Sequence, residues 1–264
     1  MNARHLLSDA TENIFLRVCI LLTVIGILTG CAGTQARHTS NLVEFLYPGQ
    51  EKESVAEKTP IPALPIPFRM VIAFVPDALP TVTGGPRPKL LLDEKKKADL
   101  MEKISASMKK YPFVHSIESI PSQYLVPKAG FTNLDQIRKM YGADVITLLS
   151  YDQVQHTDEG LLSIFYWTVV GAYIIEGEKN DTSTMIDAAA FYIPDRRMLF
   201  RAAGTSHVHA KSTPINLSEQ LRKDSYAGFE KAVEGLVGNL QAQLVKFREK
   251  IEPPAGEATT TPAN

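Results

Sequence analysis

Cysteine is scarce in this chain, which has two among 264 residues, Cys19 and Cys31. Cys19 lies in the apolar stretch VCILLTVIGIL at residues 18–28. Arg17 precedes this stretch, and it is shorter than the about 20 residues of a membrane span, which is typical of a cleaved signal peptide. Cleavage after residue 30 leaves one cysteine, which excludes an internal disulfide, a cysteine-based zinc site and a free cysteine nucleophile.

An excess of charge of one sign is also absent, because 28 Lys and Arg residues face 29 Asp and Glu residues. A net charge of −1 gives no electrostatic reason to expect nucleic acid as a partner, and we predict none. The sequence also lacks a phosphate-binding loop and a nucleophile elbow. We therefore predict a protein that is not an enzyme and that has no cofactor and no metal centre.

A lipobox follows the apolar stretch, with a branched residue, two small residues and a cysteine: Leu28, Thr29, Gly30 and Cys31. The first three are predicted to be recognised by the signal peptidase, and the Cys31 thiol is predicted to receive diacylglycerol. Several acyl chains on one residue suffice for stable anchoring. Since Ala32 and not Asp comes next, the usual sorting rule predicts an outer-membrane location facing the periplasm. The alternative is an uncleaved signal anchor with a chance cysteine.

Composition divides the chain into four parts. Residues 1–30 are the predicted signal peptide, and residues 31–67 are predicted to be the lipidated cysteine and a tether, rich in proline towards its end. Residues 68–251 are predicted to form a single α/β periplasmic domain. Residues 252–264, rich in Pro, Thr and Ala, are predicted to be disordered.

The hydrophobic pattern of the domain predicts the order β-α-β-α-β-insert-β-β-α. Such an order indicates a single mixed β-sheet with packed helices, in the α/β (α+β) class. The predicted elements are a strand over 70–75, a helix over 93–111, a strand over 114–120, a helix capped by Thr132 and ended by Gly142 with Leu134, Ile137 and Met140 inward, a strand over 143–151, a hairpin of 186–193 and 198–206, and a long helix from Asn216.

The insert Gly160–Ile175, GLLSIFYWTVVGAYII, is uncharged and contains the only tryptophan of the chain. It is shorter than an ordinary transmembrane helix. Three interpretations stay open: a buried core segment, a surface that contacts a partner or a membrane, and a membrane-crossing insert. Because aromatic side chains dominate binding hot spots, the residues that we predict to bind a partner are Phe165, Tyr166, Tyr173 and, as the anchor, Trp167.

Two histidines, His207 and His209, lie two positions apart on a predicted strand, so their side chains face the same side of the sheet. Two imidazoles on one face can begin a metal site, but no third ligand is evident from the sequence. A solvated strand end is the simpler interpretation. The positions of His115 and His156 relative to this pair do not follow from the sequence.

The segment Tyr166–Ser206, YWTVVGAYIIEGEKNDTSTMIDAAAFYIPDRRMLFRAAGTS, resembles the rhombotarget lipoproteins, as do the lipobox and NLVEFLYP at Asn41–Pro48. These proteins occur in proteobacteria that carry rhombosortase, an intramembrane protease that handles exported proteins, and they have no known chemistry. The resemblance implies an envelope lipoprotein with a genomic link to export or surface processing.

The element order is also distantly similar to periplasmic domains of the TolB N-terminal type, of penicillin-binding-protein activator lipoproteins and of the curli secretion lipoprotein. This similarity implies binding or assembly rather than catalysis. We therefore expect a lipid-anchored, non-enzymatic periplasmic module whose partners are the membrane and an envelope protein. One alternative is a homo-oligomeric outer-membrane channel or secretion component, with Gly160–Ile175 in the membrane. The other is a metal-dependent hydrolase, which needs a third ligand beside His207 and His209.

Overall fold

The protein folds as one mixed β-sheet with helices on both faces. The computed structural model describes residues 34–48, 64–78, 81–83, 92–159, 178–212 and 216–251. The strands within these ranges are β1 (Thr34–Ser40), β2 (Phe68–Phe74), β3 (Thr81–Thr83), β4 (Val114–Ser119), β5 (Val145–Glu159), β6 (Glu178–Tyr192) and β7 (Arg197–Ser212). The helices are α1 (Leu42–Leu46), α2 (Glu94–Met108), α3 (Gly130–Tyr141) and α4 (Leu217–Ile251). The predicted α/β class is confirmed.

The centre of the sheet is parallel, because β2 lies between β4 and β5 and runs in the same direction as both. Beyond Leu149, β5 leaves β2 and pairs with β1, which is antiparallel to it. On its other edge, β5 pairs with β6 along the full length of both strands, and β6 pairs with β7. The long strands β5, β6 and β7 therefore extend well past the parallel centre.

Two hydrophobic clusters hold the helices to the sheet, one on each face. Helices α2 and α4 pack on the face that carries Phe68, Met70 and Ile72, and helices α1 and α3 pack on the face that carries Val71 and Ala73. This division follows from the alternation of side chains along β2, which is buried on both faces as a central parallel strand should be.

The two shorter predicted helices differ in how well their details agree with the structure. In α2, the apolar residues Leu100, Ile104 and Met108 are spaced by four, as an amphipathic helix requires, and all three are buried. In α3 the inward positions Leu134 and Ile137 are confirmed, but Met140 is 61% exposed. The helix begins at Gly130, so Thr132 is not its cap, and Gly142 ends it with φ 60°, the left-handed conformation that glycine favours.

Residues 34–48 belong to the folded domain, so the tether predicted for 31–67 is wrong in this stretch. Strand β1 forms a full antiparallel ladder with β5, and the Nε of Arg37 donates to Oδ1 of Asp152 at 2.9 Å. Helix α1 then buries Phe45 against the sheet. The polar sequence of β1 does not predict a strand, because this strand is stabilised by backbone pairing with β5 rather than by an apolar face of its own.

None of the helices among the described residues is both long enough and apolar enough to cross a membrane. The predicted signal peptide and the predicted C-terminal tail lie outside the described residues, as does the proline-rich part of the predicted tether before residue 64.

Candidate functional site

The residues predicted for lipidation and for partner binding lie outside the described residues. They are Leu28, Thr29, Gly30 and Cys31 at the lipobox, and Phe165, Tyr166, Trp167 and Tyr173 in the insert. The structure does fix the two points that residues 160–177 connect. These points are Glu159 and Glu178, which are paired neighbours at the far end of the hairpin of β5 and β6.

The hairpin of β5 and β6 reaches far beyond the hydrophobic clusters. Tyr151 and its partner Ile186 are the last residues of these two strands that belong to a cluster. At about 3.3 Å per residue, the stretch from Tyr151 to Glu159 covers about 26 Å. The aromatic insert is therefore attached to the domain at a point remote from its apolar core.

Buried side-chain amides join this extension to the first half of α4. Gln153 Nε2 donates to Thr184 Oγ1 at 2.7 Å and to the carbonyl of Ser225 at 3.0 Å. Gln155 Nε2 donates to the carbonyl of Leu221 at 2.9 Å. Because unmade hydrogen bonds of buried groups are costly, these bonds hold the hairpin at one orientation to the helix.

The opposite face of the extension carries a histidine cluster, which we define as Asp181, His207 and His209. Asp181 is the register partner of His209, and its carboxylate is hydrogen-bonded to the His209 Nδ1. The rings of His207 and His209 meet edge to face with centroids 4.1 Å apart. One possible ligand atom from each of the three residues lies within 4.8 Å of the others.

Further groups surround this cluster without belonging to it. The Nδ1 of His207 lies 2.8 Å from the hydroxyl oxygen of Ser183. His156 is the register partner of Asp181 on the next strand, whereas His115 lies on β4. The pairing of β6 with β7 therefore supplies the third candidate ligand, Asp181, that the sequence alone did not bring to the histidines.

A second polar group, which we call the lysine cluster, lies where β2 and β4 end. The lysine cluster consists of Asp77, Glu94, Lys97 and Ser122. The Lys97 Nζ lies 3.0 Å from Asp77 Oδ2 and 3.3 Å from Glu94 Oε1. The chain leaves β2 towards α2 on one face and leaves β4 towards α3 on the other, which is the place where open α/β sheets commonly bind ligands.

The carboxylates of the lysine cluster are also hydrogen-bonded to neighbouring residues of the domain. Besides its ion pair, Asp77 accepts a hydrogen bond from the Tyr151 hydroxyl at 3.0 Å, and Glu94 accepts one from the backbone N–H of Ser122 at 3.0 Å. The cluster therefore joins β2, α2 and the turn after β4, which suits a structural role.

Burial shifts the pKa values of groups near the lysine cluster. It raises the pKa of Tyr151, and the nearby carboxylate of Asp77 acts in the same direction. It lowers the pKa of His38, and Asp77 opposes this effect. Burial alone would raise the pKa of Glu94, but hydrogen bonds from Ser122 and the charge of Lys97 outweigh it and lower that pKa.

Comparisons with known proteins give no family for this chain. No protein-family model matches it, and no curated protein matches it. Among solved structures, a Helicobacter pylori homolog of a neuraminyllactose-binding hemagglutinin has a TM-score of 0.38 at 10% identity, over 78% of this chain and 95% of that chain.

A protein of the DUF330 family from Xanthomonas campestris has a TM-score of 0.29 at 14% identity, over 74% of this chain and 93% of that chain. These likenesses are too distant to bear on what this chain binds or does. The functional argument therefore rests on the chain's own residues.

Proposed function

We propose that this chain is a lipid-anchored lipoprotein of the bacterial outer membrane whose α/β domain is a non-enzymatic module that binds or assembles an envelope protein. The apolar stretch at 18–28 and the lipobox at Cys31 support the anchor. The resemblance to rhombotarget lipoproteins supports a link to protein export or surface processing.

The observation that carries the binding role is the length of the hairpin of β5 and β6. It places both attachment points of residues 160–177 about 26 Å beyond the last core residues of the two strands. This segment contains Trp167 and three further aromatic residues, the residue types that dominate hot spots. The rigid part of the hairpin beyond Tyr151 and Ile186, which we call the arm, leads into this aromatic segment. Such an arrangement suits the capture of another protein.

The attachment of the arm to α4 supports the same proposal. Amide hydrogen bonds of Gln153 and Gln155 to the helix limit the directions in which the arm can point. A pre-oriented binding element loses less conformational entropy when its partner docks. The arm and α4 are therefore expected to act as one unit.

The binding role is tested by removing the segment while keeping the arm. Because Glu159 and Glu178 are register partners, residues 160–177 can be replaced by Asn-Gly, the preferred two-residue turn of a hairpin. We expect the wild type to be extracted in mild detergent as a complex with an envelope protein. We expect the variant to keep the thermal stability of the wild type but to be extracted without that protein. A variant that unfolds would place the segment in the core, and one that stays in the complex would contradict the proposed role.

The anchor is tested separately with the Cys31→Ser variant. We expect the wild type to incorporate labelled palmitate and to fractionate with the outer membrane, and the variant to do neither. Wild-type protein that carries no label would contradict lipidation. This outcome would leave the role of the arm to be decided by the turn replacement.

A further inference from the structure

We propose that the histidine cluster of Asp181, His207 and His209 binds a divalent transition-metal ion, with Zn²⁺ as the best match. The proposal stands apart from the binding role of the arm, because it rests on residues of β6 and β7 and not on residues 160–177. It assigns chemistry to a face of the sheet that the hydrophobic clusters leave open.

The backbone places all three ligands on this open face. His207 and His209 are two apart on β7, so both imidazoles leave the strand on the same side. Asp181 lies directly opposite His209 on β6, so its carboxylate leaves the sheet on that side as well. The register that brings the three groups together is set by the antiparallel pairing of β6 with β7, which is unbroken from Glu178 to Ala190 and has one irregularity between Ala190 and Phe191, away from the cluster.

The distances are within reach of a metal centre. One ligand atom from each residue lies within 4.8 Å of the other two, whereas atoms that share a tetrahedral zinc ion lie about 3.3 Å apart, given bonds of about 2.0 Å. The side chains of His209 and Asp181 are 69% and 45% exposed. Small rotations of exposed side chains can therefore close the gap without moving the backbone.

The chemistry of the ligands favours a borderline cation. Two imidazoles with one carboxylate suit zinc, copper, nickel or iron, and they fit calcium or magnesium poorly because those ions prefer oxygen ligands. A cation between Asp181 and His209 would replace the hydrogen bond that joins the Asp181 carboxylate to the His209 Nδ1.

Ser183 supplies a supporting contact of the kind that metal sites use. Its hydroxyl oxygen lies 2.8 Å from the Nδ1 of His207, which leaves the Nε2 of that ring for the ion. Ligating histidines commonly have their second ring nitrogen fixed in this way. Three protein ligands also leave a fourth position of a tetrahedral ion open towards solvent, for water or for a donor from another molecule.

The test uses the full lipoprotein in detergent, purified without a polyhistidine tag and treated with a chelator. Zn²⁺ is titrated into the wild type, His207→Ala, His209→Ala and Asp181→Asn by calorimetry. We expect one ion per chain in the wild type and an affinity at least about tenfold lower in each variant. His115→Ala, which removes an exposed histidine of β4, should bind as the wild type does.

The apo forms of all variants should unfold at the same temperature as the apo wild type, because the three side chains are largely solvated. Loss of binding then reports on the ligands and not on the fold. Two results would overturn the proposal: a wild type that binds no Zn²⁺, or a double variant His207→Ala/His209→Ala that still binds one ion with the wild-type affinity.

Discussion

The Nζ of Lys97 lies 3.0 Å from the Oδ2 of Asp77, and the lysine side chain is 3% exposed. This ion pair joins the first turn of α2 to the residues that follow β2. Glu94 adds a second carboxylate 3.3 Å from the same Nζ. Lys97 is therefore an internal contact of the domain, whereas a run of lysines such as Lys95-Lys96-Lys97 ordinarily indicates a solvated helix face.

Removing this lysine is predicted to destabilise the fold. Lys97→Met leaves Asp77 without its cation in a largely buried place, and we expect the free energy of unfolding to fall by about 2–4 kcal/mol. Urea denaturation of the domain measures this difference. Lys95→Met is the matched control, because Lys95 is exposed on the same helix turn and should change stability by less than about 0.5 kcal/mol. Equal effects of the two substitutions would show that the ion pair of Lys97 with Asp77 does not stabilise the fold.

His38 is predicted to make the stability depend on pH. Both of its ring nitrogens are buried without a hydrogen-bond partner among the described residues, and burial lowers its pKa against the opposing charge of Asp77. Between the lowered pKa and the ordinary value of about 6.5, the unfolded chain binds more protons than the folded chain. As far as His38 is concerned, the free energy of unfolding therefore has its full value above about pH 6.5 and falls as the pH drops below it.

The measurement compares thermal unfolding of the wild type and His38→Gln over this pH range. The difference between the two isolates His38, since Asp224, whose pKa burial raises, contributes equally to both and with the opposite sign. We expect the decline in wild-type stability between about pH 6.5 and 5 to be smaller in the variant. Parallel curves would show that the pKa of His38 is the same in the folded and the unfolded chain.

Gly204 is predicted to be a position where any larger residue destabilises the packing of α4 on β7. A Cβ there would lie 2.0 Å from the carbonyl oxygen of Ala232 and 2.4 Å from the backbone nitrogen of Leu236, so α4 would have to move off β7. Gly204→Ala is expected to cost about 2–3 kcal/mol in denaturant unfolding. Gly238→Ala on the same helix meets no atom within 4 Å, and it should stabilise the domain by about 0.5–1 kcal/mol. A reversed order of these two effects would mean that the helix does not pack as described.

The elements that the sequence predicts well are those with an apolar signature. The apolar run that becomes β2 is buried on both faces of the sheet. Helices α2 and α4 each bury the apolar side of the helix in one cluster, so pattern and structure agree. The outer half of β5 gives no such signal, because YDQVQHTDE (Tyr151–Glu159) is polar towards both faces. On its buried face, the amide nitrogens of Gln153 and Gln155 donate hydrogen bonds to backbone carbonyls of α4.

The histidine cluster illustrates what register adds to sequence. The spacing of His207 and His209 predicts a shared face, and the structure confirms it. Their neighbour Asp181 becomes visible once the hairpin pairing is known, because that pairing sets which residue of β6 lies opposite His209. No local pattern around Asp181 carries this information.

Crosslinking from Trp167 tests whether the arm presents an aromatic segment to an envelope partner. A photo-crosslinking residue is placed at Trp167 in the full lipoprotein in living cells, with Met140, an exposed residue of α3, as the control position. We expect adducts to one envelope or secretion protein from position 167 and none to that protein from position 140. Folded, correctly localised protein without adducts at position 167, or with adducts only to itself, would contradict this expectation.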